Sequence, residues 1–297
     1  MRSPKVCVLL ATYNGSKYLK EQVFSIHGQE GVVADIVASD DQSNDGTLEK
    51  LAAYAEECRI TILPTQPEKF GSAIRNFLRL IKDSPPADYD YFSFSDQDDI
   101  WLATKLQRAT QQIERLSVDV YSSDALAFWP DGETRYLRKS QPQVKYDHLI
   151  ESAGPGCTFV FSRKVYIHLH EWVSSNYVAL QDIRVHDWLI YAWARTQGYK
   201  WHIDPVSLIH YRQHASNELG ANVGLRAIVA RLNRLFDGSY RRETLAIGAI
   251  VGARSPFLDA LSRMRISDRL WLTSIAFQTR RRLRDRAVST LFYLFSK

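Results

Sequence analysis

The chain has 297 residues, 45% hydrophobic and 24% charged, with a formal net charge of +5. That composition is sufficient for a large core in one big domain or two, and it excludes a disordered or repeat-built chain. No apolar run approaches the roughly 20 residues needed to span a bilayer, and the stretch Val6 to Ala11 is too short for a secretory signal, so a cytoplasmic protein is expected. Cys7, Cys58 and Cys157 lack metal-like spacing and read as buried thiols of a reducing compartment.

In chain order, Lys5 to Ala11 is a continuous apolar strand. The loop Thr12-Tyr13-Asn14-Gly15 and an amphipathic helix over Ser16 to His27 follow. A second strand, Asp35 to Ser39, runs into Asp40-Asp41-Gln42-Ser43-Asn44-Asp45-Gly46-Thr47 and a helix ending near Cys58. A short strand at Ile60 to Leu63, a helix at Ala73 to Ile81 and a strand at Tyr91 to Ser95 complete the pattern. Alternation of this kind predicts an α/β fold, a mostly parallel sheet with helices on both faces. Ligands of such sheets bind beyond the carboxyl ends of the strands, where Tyr13, Asp41 and Asp96 to Asp99 would converge.

The segment Phe92-Ser93-Phe94-Ser95-Asp96-Gln97-Asp98-Asp99-Ile100-Trp101 ends a buried strand in three carboxylates. Carboxylates so close repel one another unless a cation sits among them, and a hard divalent ion bridging to a diphosphate is one solution. A polar turn capping the next helix is the other.

The last quarter differs. From Ala215 to Lys297, fifteen Lys and Arg stand against six Asp and Glu. Helical patterns recur at Leu225 to Leu232, Leu270 to Phe277 and Arg280 to Arg284. Basic residues interleaved with Trp271, Phe277, Phe292, Tyr293 and Phe295 suit either an anionic membrane face or a solvated surface packed on the main domain. No nucleic-acid-binding motif accompanies the charge, and no nucleic-acid partner is expected. The chain is divided accordingly into residues 1–215, a catalytic domain, and 216–297, a basic helical region.

The series Ala11-Thr12-Tyr13-Asn14, Asp40 to Thr47 and Ser95-Asp96-Gln97-Asp98-Asp99-Ile100-Trp101, in that order and spacing, resembles the family 2 inverting glycosyltransferases of the GT-A fold, over about the first 215 residues. The resemblance implies that Ala11, Thr12, Tyr13 and Asn14 hold base and ribose, and that Asp41 accepts from the pyrimidine N3, the one N–H on a uracil or thymine edge. Lys69 to Asn76 is similar to the family's second nucleotide-contacting loop, which brings in Arg75. Asp96 falls near the ribose or a metal-bound water, Gln97 joins the nucleotide and donor contacts, and Asp98 becomes the direct ligand of Mg²⁺ or Mn²⁺, the implied cofactor. Asp99 reads as a helix cap and Trp101 as packing.

Two later segments carry the same likeness. Gly154-Pro155-Gly156-Cys157-Thr158 resembles the turn that shapes the donor-sugar pocket, through Gly156, and Val185-His186-Asp187-Trp188 resembles the helix start bearing the catalytic base, with His186 in place of the commoner Glu. Asp187 is then the base, its ionised form favoured at a helix N-terminus. Tyr211-Arg212-Gln213-His214 implies His214 as a metal ligand, with His210 as its competitor, and Arg212 as a contact to diphosphate.

With Asn217 and Gly220-Ala221-Asn222, the pattern looks most like bacterial rhamnosyltransferases of O-antigen or capsular polysaccharide synthesis. It implies a single transfer from dTDP-rhamnose onto a lipid-diphosphate-linked oligosaccharide acceptor, at the cytoplasmic face of the inner membrane. UDP-hexose or UDP-N-acetylhexosamine donors satisfy the same pyrimidine and metal contacts. A nucleotidyltransferase would place a Gly-rich, Lys/Arg-bearing loop after the first strand, which Thr12 to Ser16 does not provide. A non-catalytic nucleotide-sugar-binding scaffold is the other rival.

Overall fold

In the computed structural model, which describes residues 2–214 and 237–295, strand and helix alternate as the apolar periodicity predicts. β1 (Lys5–Thr12), α1 (Leu19–His27), β2 (Val33–Asp40), α2 (Thr47–Tyr54), β3 (Ile60–Ile62), α3 (Ala73–Asp83) and β4 (Tyr91–Ser95) come first. Then follow β5 (Ile100–Trp101), α4 (Lys105–Leu116), β6 (Val120–Ser123), β7 (Ala125–Phe128), β8 (Thr134–Leu137) and β9 (Val160–Ser162). The series closes with α5 (Arg163–Leu180), α6 (His186–Thr196), β10 (Trp201–Asp204) and β11 (Ile209–Arg212). α1 starts three residues later than expected, because Tyr18 and Leu19 both donate to the Gly15 carbonyl in a turn and the Ser16 N–H donates to Asp45.

Seven strands form one sheet in the order β10-β6-β9-β4-β1-β2-β3. β1 pairs in parallel with β2 and β4, β2 with β3, and β6 with β10, while β9 runs antiparallel to β4 and β6. The sheet is therefore mostly parallel, as expected. β1 lies between two strands and is buried from Val6 to Thr12, which is why it reads as an unbroken apolar run. The register sets Thr12 opposite Asp40 and Leu10 opposite Ser95, so the polar ends of β1, β2 and β4 leave the sheet at one edge.

A second sheet, β5-β11-β7-β8, was not foreseen from the sequence. β5 has only two residues, Ile100 and Trp101, and pairs antiparallel with His210 and Ile209 of β11. This pairing carries the chain after Ile209 back toward the three carboxylates that precede β5.

By its internal contacts the chain separates into two compact units. One is Met1–Ser140, Gly154–His186 and Tyr199–Gly220; the other is Gln141–Ala153, Asp187–Gly198 and Ala221–Lys297. The second unit thus takes two segments from within the expected 1–215 domain. Its core explains the first, as Tyr146, Leu149 and Ile150 pack with Phe257, Leu261, Leu272, Phe292 and Tyr293; the second is tied in by Tyr191, which donates to Asp147 at 3.0 Å, and by Trp188 stacked on Tyr240. Around that core lie the helices Ser239–Ile250, Pro256–Arg263, Ile266–Ser274 and Leu283–Phe295, with a 3₁₀ turn at Ala276–Gln278. The expected helix over Leu225 to Leu232, Asn217 and the Gly220 to Asn222 segment lie outside the described residues. Among the described residues no helix is long and apolar enough to cross a membrane.

Asn76, buried on α3, donates from Nδ2 to the carbonyls of Thr12 (3.2 Å) and Ser39 (2.9 Å), tying together the ends of β1 and β2. Replacing both bonds with a void should cost about 1–3 kcal/mol. Asn76→Ala is expected to lower the urea midpoint accordingly, with an unchanged m-value.

Candidate functional site

Three groups of polar residues leave the shared edge of the large sheet, each held by bonds that fix its geometry in advance. At the end of β1, the Gln97 side-chain amide grips the Tyr13 backbone, accepting from its N–H and donating to its carbonyl, both at 2.8 Å. Tyr13 is 46% exposed, and Lys69 Nζ lies 4.1 Å from its ring centre and donates to its hydroxyl at 2.9 Å. Asn14, at φ 48°, takes the left-handed conformation that Asn tolerates; its N–H donates to Ser43 and its Oδ1 accepts from the Asn44 N–H. Thr12 Oγ1 donates to Asp40, and Ala11 is buried beneath them.

At the end of β2, the buried Asp41 carboxylate accepts from the backbone N–H groups of Phe70 (2.5 Å) and Gly71 (2.8 Å). Gly71 has φ +74°, a conformation that favours glycine and lets two successive N–H groups face one carboxylate. The Asp40-to-Thr47 and Lys69-to-Asn76 motifs therefore meet at Asp41. Arg75 is turned elsewhere: it donates to the carbonyls of Gln181 (3.1 Å) and Phe70 (3.4 Å), bracing the loop against the end of α5.

At the end of β4 stand the carboxylates. Asp98 is 7% exposed and Asp99 fully buried. Burial first, and then the charges of Asp98 and Asp96, push the Asp99 carboxyl well above its ordinary range. β11 answers this crowding from the opposite strand. The Arg212 N–H donates to Asp99 Oδ1 (3.0 Å), Arg212 Nε donates to the Asp98 carbonyl (2.7 Å), and His214 Nε2 lies 2.6 Å from Asp98 Oδ2. His214 stacks on Tyr18 with centroids 5.2 Å apart. Arg212 lies between the rings of Tyr18 and Phe128 and pairs with Glu21 at 2.5 Å. It is first of all a brace for the carboxylate loop.

Carboxylates with one imidazole are donors of the kind a hard divalent cation takes. Asp98 and His214 are hydrogen-bonded directly to each other at 2.6 Å. Asp96 and Asp99 also converge on Cys157, with one donor atom of each within 4.8 Å of the others. Cys157 is a soft donor and suits a hard ion poorly. Burial, and then the charges of Asp99 and Asp96, push its thiol well above the usual range.

Behind this cluster lies Lys105, fully buried, with Nζ 3.3 Å from the Trp101 ring centre and its pKa lowered to about 7, mainly by burial. Cys157, Tyr18, Glu21 and Lys105 carried no sequence signal that joined them to the acidic motif, since only the fold makes them neighbours.

Gly156 makes room for an aromatic ring. A Cβ built there would lie 2.3 Å from His186 Nε2. His186 stacks on Phe77 at 4.4 Å, and its Nε2 is buried with no hydrogen-bond partner among the described residues. Asp187 opens the part of the chain that belongs to the second unit. It lies in the first turn of α6 and its Oδ1 accepts from the Trp188 N–H at 2.6 Å.

A mostly parallel sheet with a nucleotide-type loop edge and a carboxylate cluster at the end of β4 defines a GT-A glycosyltransferase fold. Residues 7–169 match the model of glycosyl transferase family 2, and the chain belongs to that family. It is 40% identical over 240 residues to the dTDP-rhamnosyl transferase RfbG of Shigella flexneri, covering 80% of this chain and 83% of that protein. It resembles the crystal structure of TarS residues 1–349 from S. aureus in complex with UDP at a TM-score of 0.54 and 16% identity, over 89% of this chain and 88% of that one. The mannosyltransferase PcManGT of Pyrobaculum calidifontis, in complex with GDP-Man and Mn²⁺, superposes at 0.51 with 17% identity, over 98% and 88%.

Burial lowers the His186 pKa from its ordinary 6.5 to about 4. The unfolded chain takes up a proton at His186 as the pH falls through 6.5, whereas the folded chain refuses it until about 4. Stability from this group is complete above pH 6.5 and is lost progressively down to about 4, with a limiting slope of about 1.4 kcal/mol per pH unit. His186→Phe should flatten that part of the stability–pH curve, measured by urea unfolding at fixed pH steps.

Proposed function

We propose that this chain is an inverting, metal-dependent rhamnosyltransferase. It moves one L-rhamnose from dTDP-rhamnose to a lipid-diphosphate-linked oligosaccharide in the synthesis of a cell-surface polysaccharide such as O-antigen. The observation that carries the donor assignment is the 40% identity with a dTDP-rhamnosyl transferase along most of both chains. The site supports the same chemistry from its residues.

Tyr13 offers an exposed ring for the base, and the Asp41 carboxylate, already bound by two N–H groups, keeps lone pairs to accept the thymine or uracil N3–H. The neighbouring Thr12, Asn14 and Gln97 hold this loop in shape before the donor arrives, which reduces the ordering cost of binding. Asp98 and His214 would hold Mg²⁺ or Mn²⁺, with Asp96 beside them. The ion supplies charge neutralisation for the departing diphosphate. Arg212 lends positive charge nearby while bracing the loop.

Asp187 takes the proton from the acceptor hydroxyl. It stands in the first turn of α6, where its Oδ1 accepts from the Trp188 N–H, and its carboxylate serves as the base. The acceptor oxygen then bonds to the anomeric carbon as the carbon–oxygen bond to dTDP breaks. One displacement inverts the centre, and a β-linked donor yields an α-rhamnoside. The protein acts in the cytoplasm, at the inner membrane where a lipid-linked acceptor resides.

Asp187→Asn should reduce transfer by roughly 10²–10⁴-fold, the usual contribution of a general base, while donor binding changes less than about twofold. Turnover at the wild-type rate removes Asp187 from this role. Calorimetric titration with dTDP-rhamnose and with UDP-glucose, UDP-galactose and UDP-N-acetylglucosamine, each with Mn²⁺ and with EDTA, checks the donor. The tightest binding is expected for dTDP-rhamnose with Mn²⁺, weakened at least tenfold by EDTA. Preference for a UDP-sugar replaces the donor and keeps the mechanism, binding without any turnover leaves the scaffold reading, and binding to none of them overturns the proposed donor site.

A further inference from the structure

The second unit presents an outer surface at odds with ordinary helix patterning. On the helix Ile266–Ser274, Leu272 and Asp268 face the core, while Ile266 is 80% and Leu270 60% exposed. On the helix Leu283–Phe295, Phe292 and Tyr293 are buried, while Leu283 is 78% and Phe295 67% exposed, with Ala287 and Leu291 between them on the same side. Positions four apart share a helix face, so each helix carries an apolar stripe turned to solvent in addition to the one turned to the core. The two helices are fixed to each other: Arg269 donates to the carbonyls of Tyr293 (3.3 Å) and Leu294 (3.1 Å).

We propose that these two outward stripes form a docking face for an anionic phospholipid surface. The charge around them selects this occupant. Residues 237–295 hold eleven arginines against five Asp and Glu; without Arg280 and Arg281, which pair inward with Glu151 and Asp147, nine arginines remain against those five, a net charge of +4. Exposed arginines stand directly beside the exposed aliphatic residues, as Arg265-Ile266 and Leu283-Arg284, with Arg242 and Arg254 also exposed. A face this cationic repels a second copy of itself, whereas anionic headgroups attract it and the acyl boundary takes up the leucines. Helices of nine and thirteen residues are too short to cross a bilayer, so they lie on it. The inference rests on the proposed lipid-linked acceptor for its purpose, but not for its test.

The test is co-sedimentation of the full chain with vesicles of phosphatidylcholine containing about 30% phosphatidylglycerol and with phosphatidylcholine alone. Wild type is compared with Leu270→Ser/Leu283→Ser and with Arg265→Gln/Arg284→Gln, each first checked for an unchanged thermal midpoint and donor binding. Wild type should bind the anionic vesicles and lose that binding in high salt. Each double variant should bind at least tenfold more weakly, as expected for losing about 1 kcal/mol per arginine or the equivalent apolar area. Equal binding by wild type and variants overturns the proposal, as does a light-scattering dimer that the leucine variant converts to monomer. Failure of dTDP-rhamnose binding with vesicle binding intact overturns only the proposed donor.

Discussion

The constraint on which the first unit depends is the crowding of carboxylates where β4 ends. Asp98 and Asp99 are adjacent and buried, with Asp96 two residues away, and burial and mutual repulsion both oppose ionisation. A chain can keep such a cluster only by surrounding it with donors and positive charge. Local sequence cannot supply these, because β5 and α4 begin at once. They come instead from β11, more than a hundred residues later. The antiparallel pairing of Ile100 with His210 sets the register, so that Arg212 and His214 arrive opposite Asp99 and Asp98. The small second sheet is thus the device that completes the acidic site.

The nucleotide end of the same edge is built differently. Asp41 is also buried, yet its compensation is neutral: two backbone N–H groups of one loop, aimed by Gly71. Neutral donors leave the carboxylate able to accept one more hydrogen bond, which suits reading a single N–H. An arginine there would pair with it and blunt that selectivity. Arg75, the nearest candidate, is spent on the carbonyls of Phe70 and Gln181. The two carboxylate sites on one sheet edge therefore differ in kind, one braced by cationic side chains and one by peptide groups.

Sequence made the large sheet legible where segments were long and fully buried. β1 and β4 announce themselves as apolar runs ending in polar residues, and their in-register ends justify placing Tyr13, Asp41 and Asp98 at one edge. The second sheet was not legible, since a two-residue strand such as β5 has no periodicity and exists only by pairing. The motif implies Arg212 as a contact to diphosphate; its guanidinium also lies between Tyr18 and Phe128 and pairs with Glu21. Nothing in the sequence links residues 18, 21 and 128 to 212. Cys157 was assigned no chemistry, and its place against Asp99 is likewise set by the fold alone. His186 was noted as a substitute for Glu, but the Gly156 contact that accommodates its ring depends on tertiary packing.

The C-terminal basic run shows why charge must be assigned by side chain rather than by segment. Arg280 and Arg281 belong to the interior. Arg281 is 4% exposed and, with Arg195, lies 3.6 Å from the fully buried Asp147, while Arg280 and Arg281 both pair with Glu151. Burial works to raise the Asp147 pKa, but the His148 hydrogen bond and the two guanidinium charges outweigh it and keep the carboxyl below its ordinary range. This network fixes the segment 141–153 onto the later helices, and losing one partner would leave a buried charge uncompensated. Arg284, four residues past Arg280, is exposed beside Leu283. One short sequence run therefore does two jobs, holding the unit together from within and presenting charge outside. Arg286 of the last helix still donates to the carbonyls of Arg280 and Arg281, whereas Arg284 and Leu283 present a charged and an apolar group to solvent side by side.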